Sequence, residues 1–211
     1  MTIRPAGRVY FDHNATTAAR PEVVEAMIPW FTDRPGNPHS IHHFGSEAHE
    51  AVEGARASLA ALIGCAPDEI IFTSGGTESD NLAVRGSVRG KARPHVVTSM
   101  IEHPAVYATC RDLERGGVEV DYAPVDEDGV VSLDAFGDAL RPDTALASVM
   151  LANNETGVVQ PIADIARLCR ARGVPLHVDG VQGVGKIPVD VEALGIDMLS
   201  VSAHKFYGPK G

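Results

Sequence analysis

Three short segments of the 211-residue chain hold the residue types that chemistry needs. The first, Ser74-Gly-Gly-Thr-Glu-Ser-Asp-Asn81, follows an apolar run and opens a helical stretch. Backbone N–H groups at a helix N-terminus beside flexible glycines bind phosphate, and Thr77 adds a hydroxyl. The same residues also read as a glycine turn capped by Thr77 or Ser79. The segment is neither a GxGxxG nor a GxxxxGK[ST] fingerprint. In the second, Leu176-His-Val-Asp-Gly-Val-Gln182, Asp179 closes an apolar strand and Gln182 follows it. Ligands bind at such carboxyl ends in open α/β sheets, although an Asp capping the next turn accounts for it equally well. The third places Lys205 just past an apolar strand, between Ser202, His204 and a turn. Most lysines are solvated, but one crowded at a strand end can serve as a Schiff-base nucleophile. Taken together, a phosphate cradle, an Asp and a Lys at strand ends are what pyridoxal 5'-phosphate requires.

The elements that must position these groups alternate along the chain. Residues 69–73, 95–98, 119–122, 145–151, 176–179 and 198–201 read as strands, apolar on both faces or nearly so. Residues 22–31, 45–63, 78–88, 104–115 and 162–172 carry helical spacing, with Gly64, Gly116-Gly117 and Gly173 where helix C-termini need them. Strand and helix in alternation predict an α/β fold of right-handed βαβ units. The Pro-, Asn- and His-rich start of the chain reads as ordered loop.

Composition narrows the classes of partner. Hydrophobic residues make up 44% and the net charge is −10, with only four lysines, Lys91, Lys186, Lys205 and Lys210. No basic patch offsets that charge, so nucleic acid is not expected as a main partner. No stretch has the roughly 20 apolar residues of a membrane helix, and the first residues lack the apolar core of a signal peptide. Cys65, Cys110 and Cys169 are odd in number, with no CxxC pair. That argues against a disulfide framework and for a reducing compartment, so the expected location is cytoplasmic. His39, His42, His43 and His49 cluster near the start, yet no carboxylate or thiolate completes a ligand set, and no metal is expected. Asp126-Glu-Asp-Gly129 reads as a solvated turn.

The ordered set Asn14-Ala-Thr-Thr17, Gly36-Asn-Pro-His-Ser-Ile-His42, the segment 73–81, Glu102-His103, Asn153-Asn-Glu-Thr-Gly157, residues 177–182 and Ser202-Ala-His-Lys205 resembles the cysteine desulfurases of the class-V aminotransferase family. The similarity is to the branch that supplies sulfur for iron–sulfur clusters, and it runs from about Tyr10 to Gly211. It implies a three-layer αβα fold with a mostly parallel sheet, the aminotransferase-like large domain. Residues 1–15 would be an N-terminal segment and 16–211 the cofactor-binding domain, incomplete at its C-terminal end. The resemblance further implies that Lys205 carries the cofactor and Asp179 pairs with its ring nitrogen. Gln182 would bond the ring oxygen, His103 would stack and move protons, and Asn154 would contact ring or substrate. Gly76, Thr77, Ser202 and His204 would hold the phosphate. The implied substrate is L-cysteine, with alanine as product and the sulfur passed to an enzyme cysteine. The implied assembly is a homodimer that meets a sulfur-acceptor or scaffold protein. The family's sulfur-accepting Cys lies well beyond its lysine, and six residues follow Lys205 here. The chain alone is therefore expected to be inactive, with Cys65, Cys110 and Cys169 as packed hydrophobes. Another class-V aminotransferase or lyase, or a non-catalytic fragment, are the alternatives.

Overall fold

The computed structural model describes residues 9–210; residues 1–8 of the expected N-terminal segment lie outside them. Two compact units divide the chain, residues 73–202 and residues 9–72 with 203–210.

The larger unit is built on five parallel strands in the order β2-β1-β3-β4-β5: β1 His95–Ser99, β2 Glu119–Ala123, β3 Thr144–Met150, β4 Leu176–Asp179 and β5 Met198–Ser200. Every residue of β1, β3 and β4 is buried, as strands covered on both faces must be. β2 is an edge and is only partly covered. From β1 the chain crosses through α4 (Pro104–Arg115) to β2; from β3 it crosses through α6 (Ile162–Arg172) to β4, and through α7 (Val191–Leu194) to β5. These progressions run in opposite directions, so right-handed crossovers place α4 and α6 on opposite faces of the sheet. Two helical groups result, α3 (Gly76–Val88) with α4, and α5 (Leu133–Ala139) with α6 and α7. The α/β fold expected from the alternation, with the αβα layering that the resemblance implies, is therefore present. Between β1 and β3 the direction reverses, and the carboxyl ends there form a switch point of the kind that binds ligands in open α/β sheets.

Burial explains the order of these elements. Val84, Val88, Val96, Val106, Cys110, Ala145 and Leu146 form one core under α3 and α4. Phe136, Ile162, Ile165 and Cys169 are buried on α5 and α6. Gly64 and Gly173 adopt left-handed φ of 75° and 67° as C-caps, as their placement predicts. The acidic segment 126–129 is a turn: Asp126 Oδ1 accepts from the backbone N–H groups of Asp128 and Val130.

One predicted strand is absent, and two helices were not predicted. Residues 69–73 form no ladder. Pro67–Glu69 closes a 3₁₀ turn, with Glu69 Oε2 accepting from Ala66 N at 2.8 Å. The Arg56 guanidinium then bonds the Ile70 carbonyl and lies 5.0 Å over the Phe72 ring. α2 (His43–Ile63), which follows α1 (Pro21–Phe31), thus supplies the contacts that a neighbouring strand would have given. α5 and α7 have seven and four residues, too short for periodicity to show. Their N-caps, Ser132 and Asp190, accept from Ala135 N and Ala193 N.

Candidate active site

Four connections at the carboxyl end of the sheet meet in the larger unit. The N-terminus of α3 comes first. No side chain caps this helix, and its N-cap Gly75 has φ of 152°. Gly76 is buried, and a Cβ added there would stand 2.8 Å from Val181 Cγ2 and 3.4 Å from Ser202 Cβ. The missing side chain is what lets the helix end close on the turn after β4 and on buried Ser202. Thr77 sits exposed on the first turn. Ser74 donates twice to Glu78 Oε2, at 2.6 Å from its N–H and 2.5 Å from its hydroxyl, and those bonds pull the Glu78 pKa down.

Asp179 closes β4 with 4% of its surface exposed. Its Oδ1 accepts from Val181 N at 3.0 Å, and its carbonyl accepts from Leu151 N at 2.8 Å. It stands in register with Met150 on one side and Ser200 on the other. The Asp therefore does cap the following turn, but with one oxygen, while the strand end holds its carboxyl at the site. Gln182, half-buried, accepts from Lys186 Nζ at 2.6 Å through Oε1.

The loops after β1 and β3 flank the switch point. His103 is the N-cap of α4, and its Nδ1 accepts from Ala105 N at 3.1 Å. A ring nitrogen that accepts is unprotonated, so in the neutral ring the proton sits on Nε2. Asn154 Nδ2 donates to Glu155 Oε1 at 2.6 Å. Both loops are braced by residues to which the sequence reading gave no role. Asn153 Nδ2 donates to the Ile101 carbonyl at 3.2 Å, and its Oδ1 accepts from the backbone of Glu155 and Thr156. Glu102, 8% exposed, accepts from the Ser99 hydroxyl and from Met150 N at 3.0 Å through one oxygen. Burial pushes its pKa up to about 8. The only sequence signal for either residue was adjacency, Glu102 to His103 and Asn153 to Asn154.

Lys205 and His204 belong to the other unit, three and two residues along the chain from Ser202. They form a 3₁₀ turn, Ala203–Lys205. Lys205 Nζ donates to the Asn14 carbonyl at 2.6 Å, and His204 Nδ1 lies 3.0 Å from Thr16 Oγ1. Thr17 binds the turn twice, donating from Oγ1 to the His204 carbonyl at 2.8 Å and accepting from Tyr207 N at 2.8 Å. Burial, then Lys205 and Lys210, lower the His204 pKa. The segment 14–17 is thus the clamp of the lysine turn, a role its sequence did not disclose.

The aminotransferase class-V family model matches residues 9–211. The chain belongs to that family. Proteins named cysteine desulfurase IscS are similar to this class-V chain. That of Dictyoglomus turgidum is 51% identical over 208 residues, 96% of this chain and 52% of the relative, and that of Rickettsia akari is 50% identical over 206 residues, 96% and 50%. The chain thus spans about half the length of the curated relatives it matches. Among solved structures, one described as SspA in complex with cysteine superposes with a TM-score of 0.94 at 41% identity, covering 97% of this chain and 59% of that one. A NifS-like protein gives 0.94 at 44% identity, covering 97% and 57%. Class-V aminotransferases and the desulfurase relatives are pyridoxal-phosphate enzymes. The larger unit fits that cofactor: the space a Cβ at residue 76 would fill lies beside a hydroxyl and uncapped helix N–H groups, and a buried carboxylate stands at a strand end. Among the described residues, no cluster of His, Cys, Asp or Glu could hold a metal, and no helix is long and apolar enough to cross a membrane.

Proposed function

We propose that this chain is the cofactor-binding part of a pyridoxal-phosphate cysteine desulfurase, converting L-cysteine to L-alanine and passing the sulfur toward iron–sulfur cluster or thio-cofactor synthesis. The observation that carries this reading is the pairing of buried Asp179 with the glycine cradle at Gly76 and Ser202 in one unit. The names of the relatives and the cysteine in the SspA structure's description support the substrate.

The bound cofactor supplies an electron-withdrawing ring that stabilises negative charge at the substrate Cα. Asp179 would accept from the protonated ring nitrogen and favour its cationic form. Gln182 would hydrogen-bond the ring oxygen. Gly76, Thr77 and Ser202 would bind the phosphate through N–H and hydroxyl donors suited to a dianion, and His204 is the further phosphate ligand that the family resemblance implies. His103, with Nδ1 engaged by Ala105 N, would lie against the cofactor ring and offer Nε2 for moving protons. Asn154 would contact ring or substrate, and Lys205 would be the residue that holds the cofactor covalently. Residues 16–211 act as the cofactor-binding domain.

None of the three cysteines accepts the sulfur. Cys110 and Cys169 are buried in the core and Cys65 is half-buried. We therefore expect feeble cysteine turnover by the chain alone. The surface of the smaller unit favours a homodimer, since Phe11, Phe31, Ile41 and Ile71 each expose more than seven-tenths of their area. A protein sulfur acceptor and a cytoplasmic location complete the reading.

The experiment is spectroscopic. The purified chain mixed with pyridoxal phosphate is expected to show the visible band of lysine-bound cofactor, lost in Lys205→Ala. Equal binding and an unchanged band in a folded Lys205→Ala protein would refute the assignment.

A further inference from the structure

Asn81 and Thr109 stand one turn inside the N-termini of α3 and α4, and the function proposed above uses neither. Each side chain turns back on its own helix. Asn81 Nδ2 donates to the Thr77 carbonyl at 2.9 Å, and Thr109 Oγ1 donates to the Ala105 carbonyl at 2.8 Å. The two side chains then meet. Thr109 Oγ1 lies 2.9 Å from Asn81 Oδ1, and Asn81 Nδ2 reaches the Ala105 carbonyl at 3.5 Å. The one hydroxyl proton of Thr109 is thus shared between the Asn81 and Ala105 oxygens. Thr109 is 4% exposed and Asn81 is half-buried. Partners of one kind on each side settle the orientation of the Asn81 amide. Arg85 Nε, which only donates, lies 3.0 Å from Oδ1, and the two carbonyls, which only accept, face Nδ2.

An Asn or Thr inside a helix often bonds the carbonyl four residues back and does nothing more. Here the two back-bonded residues join, and what they hold gives the bridge its consequence. On α3 it holds Thr77, in the first turn of the uncapped helix that forms the cradle. On α4 it holds Ala105, whose N–H donates to His103 Nδ1. A single residue therefore separates the bridge from the His103 ring. Val106 N and Tyr107 N close the same turn on the His103 carbonyl, at 2.9 and 3.0 Å. Farther along, Arg85 Nη2 bonds Asp112 Oδ2 at 2.8 Å, but both side chains are about half exposed. Exposed pairs of that kind hold helices weakly, so the buried bridge is the firmer tie.

We propose that Asn81 and Thr109 are positioning residues that fix the spacing between the phosphate cradle on α3 and His103 on α4. The roles of the cradle and of His103 rest on the function proposed above; the bridge between the helices does not. A rigid link between two subsites adds affinity only for a ligand that spans both, because the second contact then costs no further freedom. Pyridoxal phosphate would span both. Inorganic phosphate would occupy the cradle alone.

The test compares these two probes on the intact chain. Thr109→Val removes the hydroxyl and keeps the shape, and Thr109→Ser restores the hydroxyl. Thr109→Val is expected to weaken pyridoxal phosphate fivefold or more and inorganic phosphate less than twofold, the latter followed by phosphorus-31 NMR. It should also change the induced circular dichroism of the bound cofactor, which reports how the ring is held. Thr109→Ser should recover most of both effects. Equal losses for the two probes overturn the proposal, and so does a fall in unfolding stability with affinity and dichroism unchanged. Amide hydrogen exchange without cofactor tests the bridge itself. In Thr109→Val and Asn81→Ala alike, the Val106 and Tyr107 amides should exchange at least fivefold faster relative to those of Arg111 and Asp112. Uniform acceleration along α4 overturns the proposal, since it reports lost stability and no local tie. If the wild-type chain binds no pyridoxal phosphate, the functional reading fails and the exchange result alone decides the bridge.

Discussion

Asn153 Nδ2 donates to the Ile101 carbonyl at 3.2 Å, so the loop after β3 holds the loop after β1 from below, two residues before His103. The same side chain accepts two backbone N–H groups through Oδ1 and shapes the turn that carries Asn154. Asn153→Ala is expected to destabilise the chain by about 1–3 kcal/mol in denaturant unfolding, because it orphans several polar groups at once. Asn153→Asp keeps the acceptor and loses the bridge to Ile101. It should therefore spare stability more than it spares cofactor affinity. If both quantities fall together, Asn153 does no more than fold its turn.

The lysine turn depends on Gly208 in the same way that the cradle depends on Gly76. Gly208 N bonds the Ala203 carbonyl at 2.8 Å, and an added Cβ would stand 2.8 Å from that same oxygen and 2.7 Å from Ala203 Cβ. Backbone cannot yield as a side chain can, so Gly208→Ala is expected to cost about 1–3 kcal/mol. It should also reduce the fraction of cofactor captured by Lys205, read at the visible band. Gly54, inside α2, meets nothing within 4 Å, so Gly54→Ala should stabilise by up to about 1 kcal/mol. Equal effects of the two substitutions would show that the turn tolerates the Cβ.

How much could be read beforehand follows from the range of each signal. The parallel sheet was readable because β1, β3 and β4 are apolar on both faces, and only a covered sheet requires that. Gly64 and Gly173 marked helix ends for an equally local reason. The run 69–73 has the same composition as a strand, but its partners turned out to be Arg56 and a 3₁₀ turn, which composition cannot show. Gly76, Asp179 and Lys205 stood out because each breaks an apolar pattern at a strand or helix end. Asn81, Glu102, Asn153 and Thr17 did not, since their significance lies in contacts between distant segments. The Thr17 bond to His204 spans 187 residues, and no spacing rule reaches that far.

Glu102 makes stability depend on pH in a direction opposite to that of a salt-bridged carboxylate. Its pKa is raised by burial from 4.5 to about 8, so between those values the folded chain holds a proton that the unfolded chain has lost. Its contribution is complete below the unfolded value and disappears as pH rises through about 8. Glu102→Gln, which mimics the neutral acid, should flatten the fall in unfolding free energy across that window, by on the order of a few kcal/mol. His177 works in the other direction, since its lowered pKa costs stability as pH falls from 6.5 toward about 4. A Glu102→Gln profile parallel to wild type from pH 5 to 8 would mean that Glu102 is ionised in the folded chain.

The cysteines give the last prediction. Burial pushes the Cys110 and Cys169 thiols up to about 12, and raises Cys65 together with Glu69 and Asp68. A thiol attacks as its thiolate, and at pH 7 a group with pKa above 9 is less than about 1% ionised. A disulfide reagent at neutral pH should therefore modify the native chain slowly, Cys65 first because it alone is partly exposed. All three should react promptly in denaturant. The same order should govern sulfur transfer: with pyridoxal phosphate and L-cysteine supplied, mass spectrometry should find no added sulfur on Cys110 or Cys169. If the proposed function holds, an external thiol should raise alanine formation by accepting the sulfur in their place. Stoichiometric sulfur on any one of the three would show that a packed thiol can still reach the site, and would reverse the assignment of these cysteines as core.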